Sequence, residues 1–201
     1  MPEFKAHNIW PSPVFENTID VKDEWLSFIK KVPCQRTNDD NGYISKGLPI
    51  LDYPEMQELK NIILEQVSVY VKHHLNVSNK FRLTTSWVTK HDKGDFAQVH
   101  SHKNSLLSGV YYLQTKENCG DIIFNRDTFL SESFMLDLTE SSFLNSLKYK
   151  IPVRNGLLLL FPSTLKHGTP KMIIDDFQRI AISFNFWPFG NIGGHDCLLD
   201  A

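Results

Sequence analysis

Two histidines one residue apart, His100 and His102, stand just before a strand-like run in the segment VHSHKNSLLSGVYYL. Side chains of an extended chain alternate between faces, so both imidazoles leave the same face if Val99–His102 is extended. Two nitrogen donors at a strand end, beside the turn-prone Lys103-Asn104-Ser105, make half of a metal site. A third histidine, His167, follows the apolar strand Leu157–Phe161, which ends at Pro162, so it too lies near a strand end. Twelve residues further on, Arg179 opens the strand QRIAISFNF. There Ile180, Ile182 and Phe184 share one face while Arg179, Ala181 and Ser183 share the other. A buried guanidinium needs an anionic partner, and no acid accompanies it on that strand. A bound carboxylate, held bidentately, would meet the need.

The elements that position these residues fall into two regions. Pro11 and Pro13 in IWPSPVFENTI mark an extended segment of edge-strand character. Asp20 caps a helix expected over Val21–Val32, with Trp25, Phe28 and Ile29 at helical spacing. Asp39-Asp40-Asn41-Gly42 is a turn. Tyr53-Pro54 then opens a helix over Met56–Leu75 whose stripe is Leu59, Ile62, Ile63, Val67, Val71 and Leu75. After Asn79 the pattern changes to short strands at Phe81–Lys90, Phe96–His102, Leu106–Thr115, Gly120–Asn125, Lys148–Val153, Leu157–Phe161 and Gln178–Phe186. Turn signals separate them, and no helix intervenes. Such spacing points to an antiparallel sandwich or barrel with the two helices on one outer face. The polar stretch 126–145 has no readable pattern, although it is long enough to shape an entrance.

Composition bounds the function. The 201 residues suit one domain, and 41% hydrophobic with 22% charged residues is that of an ordinary globular protein. The 14 Phe and 6 Tyr lean toward a β-rich core. A net charge of −2 gives no electrostatic footprint for nucleic acid or an anionic membrane. No apolar run spans a bilayer, and MPEFKAHNIW lacks the apolar stretch of a signal peptide. Cys34, Cys119 and Cys197 form no CxxC, so a reducing cytoplasm is the expected home.

The ordered set HSH, a strand with YYL, CGDIIF, NGLLLLFPSTLKH and RIAISFN resembles the iron(II)- and 2-oxoglutarate-dependent oxygenase superfamily over residues 81–187. The likeness is to its short phage and marine-bacterial members and to prolyl and aspartyl hydroxylases. It implies a double-stranded β-helix, a cupin-like jelly roll, in one domain. Residues 1–78 would form a helical support, 79–187 the catalytic core and 188–201 a tail. It also implies Fe(II) held by His100 and His167, with His102 the expected third ligand, and the far carboxylate of 2-oxoglutarate on Arg179. O2 and a peptide or protein side chain, or a small molecule, would be the other reactants. Hydroxylation would accompany oxidative decarboxylation to succinate, with no protein general base.

The chain departs from the family at one place. His102 stands where the common H-x-D/E motif has a carboxylate, so it either completes a three-imidazole site or does not ligate. Asp121, on another strand, is an alternative source of a carboxylate. The aspartyl/asparaginyl β-hydroxylases, which the HSH spacing also resembles, manage with two histidines. That likeness would turn Gly109 and Tyr111 toward the pocket and Ser108, Val110 and Tyr112 away from it. Tyr111 would then donate to a cosubstrate carboxylate, and the bond made by the serine of the family's R-x-S pair, which here reads Arg179-Ile180-Ala181, would be absent or come from Ser183.

Blander readings cover the rest. His7, His73, His74, His91 and His195 read as ordinary surface or core residues, Trp87 as core, and GNIGG at 190–194 as a flexible connector. A cupin-like metal enzyme without 2-oxoglutarate and a catalytically silent jelly-roll binding module remain the alternatives. A homodimer through the helical face is possible on the sequence alone.

Overall fold

A computed structural model describes residues 11–37, 42–47, 49–126, 137, 139–140, 142 and 145–200. The turn expected at Asp39-Asp40-Asn41 and most of the 126–145 stretch lie outside them. In chain order the elements begin with strand β1 (Phe15–Thr18), helix α1 (Asp23–Lys31), β2 (Cys34–Arg36), β3 (Tyr43–Ser45) and helix α2 (Gln57–Val69). Then come β4 (Lys80–His91), β5 (Ala97–His100), β6 (Leu107–Gln114), β7 (Ile122–Asn125) and β8 (Lys148–Ile151). The chain continues through β9 (Leu157–Pro162), β10 (His167–Thr169), β11 (Arg179–Phe189), β12 (Asn191–Ile192) and β13 (Leu199–Asp200).

Two antiparallel sheets make the jelly roll. The larger has the order β1-β9-β6-β11-β4-β3-β2 and the smaller the order β5-β10-β7-β8. The helices cover one face of the larger sheet, as the stripe on α2 requires. Leu59, Ile63 and Val67 of α2, with Trp25 and Ile29 of α1, pack on Val88, Tyr111, Leu158, Leu160, Ile182 and Phe184. On the other face, Val110, Tyr112, Leu157, Leu159, Phe161 and Ala181 meet Ile122, Phe124 and Ile151 of the smaller sheet. A strand buried on both faces needs no polar alternation, which accounts for the unbroken apolar run of β9. β1 forms the edge beside β9, and Pro11 and Pro13, which have no N–H, precede it.

The structure differs from the sequence pattern in details. The second helix leaves α-geometry at Tyr70, and Tyr70–His74 forms a π-turn closed by Leu75 N–H donating to Tyr70 O at 3.1 Å. The 190–194 stretch is not a free connector, because Asn191 and Ile192 pair with Asp200 and Leu199. Among the described residues no helix is long and apolar enough to cross a membrane.

Candidate metal centre

Register brings the histidines together. His100 and His167 are direct cross-strand partners of β5 and β10. The backbone N–H of His102 donates to Ser163 O at 2.9 Å, which fixes the residues after β5 against the β9–β10 connection. One ligand atom from each of His100, His102 and His167 lies within 4.8 Å of the others. Among the described residues this is the one such group of three or more metal-binding side chains.

The imidazoles are set up to offer lone pairs. His100 Nδ1 lies 2.7 Å from Gln98 O, and His167 Nδ1 lies 2.8 Å from Leu165 O. A carbonyl accepts only, so both Nδ1 atoms carry the proton and both Nε2 atoms are left as donors to a metal. Burial, and then the neighbouring rings, holds His102 down at about 4. Burial likewise lowers His167 to about 4 against an opposing bond to Leu165 O. Three neutral imidazoles suit iron(II) and similar borderline cations. Asp121 contributes nothing here: it accepts from Val153 N–H at 3.1 Å and pairs with Lys150 at 3.2 Å.

The three rings open onto a cavity of about 420 Å3 between the sheets, within the usual range for small-molecule sites. Its lining includes Trp87, His91, Val110, Tyr112, Arg179 and Ser183. Trp87 therefore belongs to the cavity rather than the core, with its ring 5.6 Å from that of His102. Arg179 is buried at 5% exposure and makes no ion pair among the described residues. Its Nη1 donates to Gly120 O at 2.5 Å and Cys119 O at 3.4 Å. Its Nη2 donates to His91 Nδ1 at 2.5 Å and Thr169 Oγ1 at 3.1 Å. The positive charge is uncompensated, but the fork expected to grip a carboxylate bidentately is already turned on neutral protein acceptors.

Tyr111 does not face this cavity, which corrects the expectation drawn from the β-hydroxylase likeness. Directly opposed residues of an antiparallel pair share a face, and Tyr111 opposes Ile182 whereas Tyr112 opposes Ala181. Arg179, Ala181 and Ser183 define the cavity face, so Tyr112 lies on it and Tyr111 lies among the helices. There the Tyr111 hydroxyl donates to Ile19 O at 3.0 Å. The absent side chain of Gly109 leaves room for the Phe184 ring on that same helical side, since an added Cβ would stand 2.3 Å from it. Tyr112 is 3% exposed, makes no hydrogen bond through its hydroxyl among the described residues, and is pushed up to about 12, chiefly by burial.

His91, read from the sequence as an ordinary residue, is the residue that reasoning missed. It is 4% exposed, lines the cavity and touches Arg179. The two are cross-strand partners of β4 and β11, a relationship that pattern alone does not reveal.

The model of a family described as "Putative 2OG-Fe(II) oxygenase" matches residues 85–185, a span that contains all three histidines, His91 and Arg179. No curated protein sequence matches the chain significantly. Among solved structures, the chain is similar to HygX from Streptomyces hygroscopicus, bound to nickel, 2-oxoglutarate and hygromycin B. The TM-score is 0.62 at 15% identity, covering 88% of this chain and 83% of that one. SnoN, a non-heme alpha ketoglutarate dependent epimerase from nogalamycin biosynthesis, gives 0.62 at 12% identity, covering 87% and 78%. A Pseudomonas putida prolyl-4-hydroxylase gives 0.53 at 12% identity, covering 87% and 92%.

Proposed function

Because the chain belongs to the 2OG-Fe(II) oxygenase family, we propose that it hydroxylates a peptide or protein side chain or a small molecule, coupled to decarboxylation of 2-oxoglutarate to succinate. One observation carries the reading. Three imidazoles able to share a cation open onto the same cavity as a buried guanidinium that lacks a carboxylate partner among the described residues.

His100, His102 and His167 would hold the Fe(II), with the first and last oriented by their Nδ1–H bonds to Gln98 O and Leu165 O. When bound, iron and 2-oxoglutarate supply the O2 activation and the oxidising power. Arg179 attracts the far carboxylate of the cosubstrate by its unneutralised charge. The Tyr112 hydroxyl, and that of Ser183 on the same face, offer hydrogen bonds to its oxygens. The apolar walls, Val110, Ile122, Phe161 and Ala181, keep water from this end of the cavity. Replacing the family's carboxylate by His102 would leave the iron with neutral protein ligands only, one negative charge fewer than the family's set. Both substrate classes have precedent among the structural neighbours, in HygX with hygromycin B bound and in the prolyl-4-hydroxylase.

The test is succinate formation from 2-oxoglutarate by Fe(II)-loaded protein under O2. Formation that is lost in His100→Ala and in Arg179→Ala supports the reading. A metal-loaded protein that binds no 2-oxoglutarate overturns it and favours the cupin-like alternative.

A further inference from the structure

We propose that His91 donates a hydrogen bond directly to the anionic ligand held at Arg179, making that subsite an arginine–histidine clamp. The inference rests on the reading of the protein as a 2-oxoglutarate oxygenase and deepens it by naming a binding residue of its cosubstrate subsite.

Arginine is always protonated and only donates, so the ring nitrogen that Arg179 Nη2 contacts must be the unprotonated one. His91 Nδ1 is that nitrogen, and the proton sits on Nε2. The ring is held on two sides. Its Nδ1 edge meets Arg179 on β11, and its Cδ2–Nε2 edge lies over Gly42, where an added Cβ would stand 2.5 Å from Cδ2 and 3.2 Å from Nε2. Gly42 also has φ +77°, so both backbone conformation and space demand glycine beneath the ring. Held between these two contacts, the ring is one of the walls of the cavity that Arg179 also lines. Nε2–H has no hydrogen-bond partner among the described residues, although the side chain is buried. A buried donor without an acceptor is costly, and a ligand oxygen relieves that cost.

The state of Arg179 makes such a donor necessary. Two N–H groups on Nη1 and two on Nη2 are directed at Gly120 O, Cys119 O, Thr169 Oγ1 and His91. Only the Nε–H of its five donors remains for a ligand. Arg179 therefore contributes charge more than hydrogen bonds. Burial, then Arg179 and Arg36, holds His91 down at about 3, so the ring stays a neutral donor wherever a carboxylate is ionised.

Calorimetric titration of the Ni(II)-loaded full-length protein tests this, with 2-oxoglutarate and with 2-oxovalerate, which has a methyl group where the far carboxylate would be. His91→Asn keeps an oxygen that can accept from Arg179 but places no N–H where the Nε2–H of His91 stands. His91→Gln reaches further and can restore one. Both side chains are no larger than imidazole and both remain polar. The clamp requires that His91→Asn weaken 2-oxoglutarate roughly ten-fold or more. Its binding of 2-oxovalerate should be unchanged, and His91→Gln should recover most of the loss. Wild-type affinity for 2-oxoglutarate in His91→Asn overturns the clamp, as does an equal loss for both ligands, which a merely structural role would produce. If Arg179→Met alone loses 2-oxoglutarate, the clamp fails and the oxygenase reading stands. If the wild-type protein binds none, both fail.

Discussion

His100 and His167 face each other across the β5–β10 pair with ring centroids 4.6 Å apart. The candidate metal centre is thus a product of strand register, and His102 is added to it by a turn anchored on Ser163. His100→Ala and His167→Ala should each weaken Ni(II) binding by about 100-fold or more, beyond the usual effect of losing an outer-shell partner. His102→Asp, which restores the family's carboxylate, should keep tight binding, whereas His102→Ala should lose it. Equilibrium dialysis against Ni(II) measures all four. Unaltered affinity in His102→Ala would remove His102 from the ligand set.

The two adjacent tyrosines should separate cleanly. Tyr111→Phe breaks the bond to Ile19 O in the helical core and should cost about 1 kcal/mol of stability while leaving 2-oxoglutarate affinity unchanged. Tyr112→Phe removes a hydroxyl with no partner among the described residues, so stability should hold while 2-oxoglutarate binding weakens by roughly five- to ten-fold. Denaturant melts and calorimetry together decide it. The opposite assignment of effects would restore Tyr111 to the cavity.

The metal-free protein should lose stability in mild acid. His91, His102 and His167 are lowered in the folded state to about 3, 4 and 4. In the unfolded chain they titrate near the ordinary value of about 6.5. Below that pH the unfolded state binds protons the folded state refuses, so their contribution is intact above about 6.5. It drains away as pH falls toward the folded values. Each group adds up to about 1.4 kcal/mol per pH unit in that window. Urea midpoints between pH 7 and 4.5 should fall accordingly, and less steeply in His91→Gln. A flat profile would mean that the imidazoles protonate in place.

Much of the site was legible because period-two alternation survives in the sequence. The apolar Ile180, Ile182 and Phe184 against Arg179, Ala181 and Ser183 identified both faces of β11, and the stripe on α2 identified the face that the helices cover. What could not be read was which face of β6 joins the cavity, because that depends on the opposition of Tyr112 to Ala181. His91 was hidden for the same reason: its partners, Arg179 and Gly42, lie far from it in sequence. Trp87 was read as core because an indole fits a core or a cavity wall equally well. The pairing of β12 with β13 rests on two residues from each strand, too few for a pattern.

The central claim is that the histidine cluster and Arg179 form one metal and cosubstrate site. Anaerobic titration of Fe(II)-loaded protein with 2-oxoglutarate, followed by visible absorption beside the Arg179→Ala variant, tests it most directly. The account expects a weak charge-transfer band in the wild type that is lost, or needs far more 2-oxoglutarate, in the variant. Iron that binds without any band on saturation with 2-oxoglutarate would contradict it.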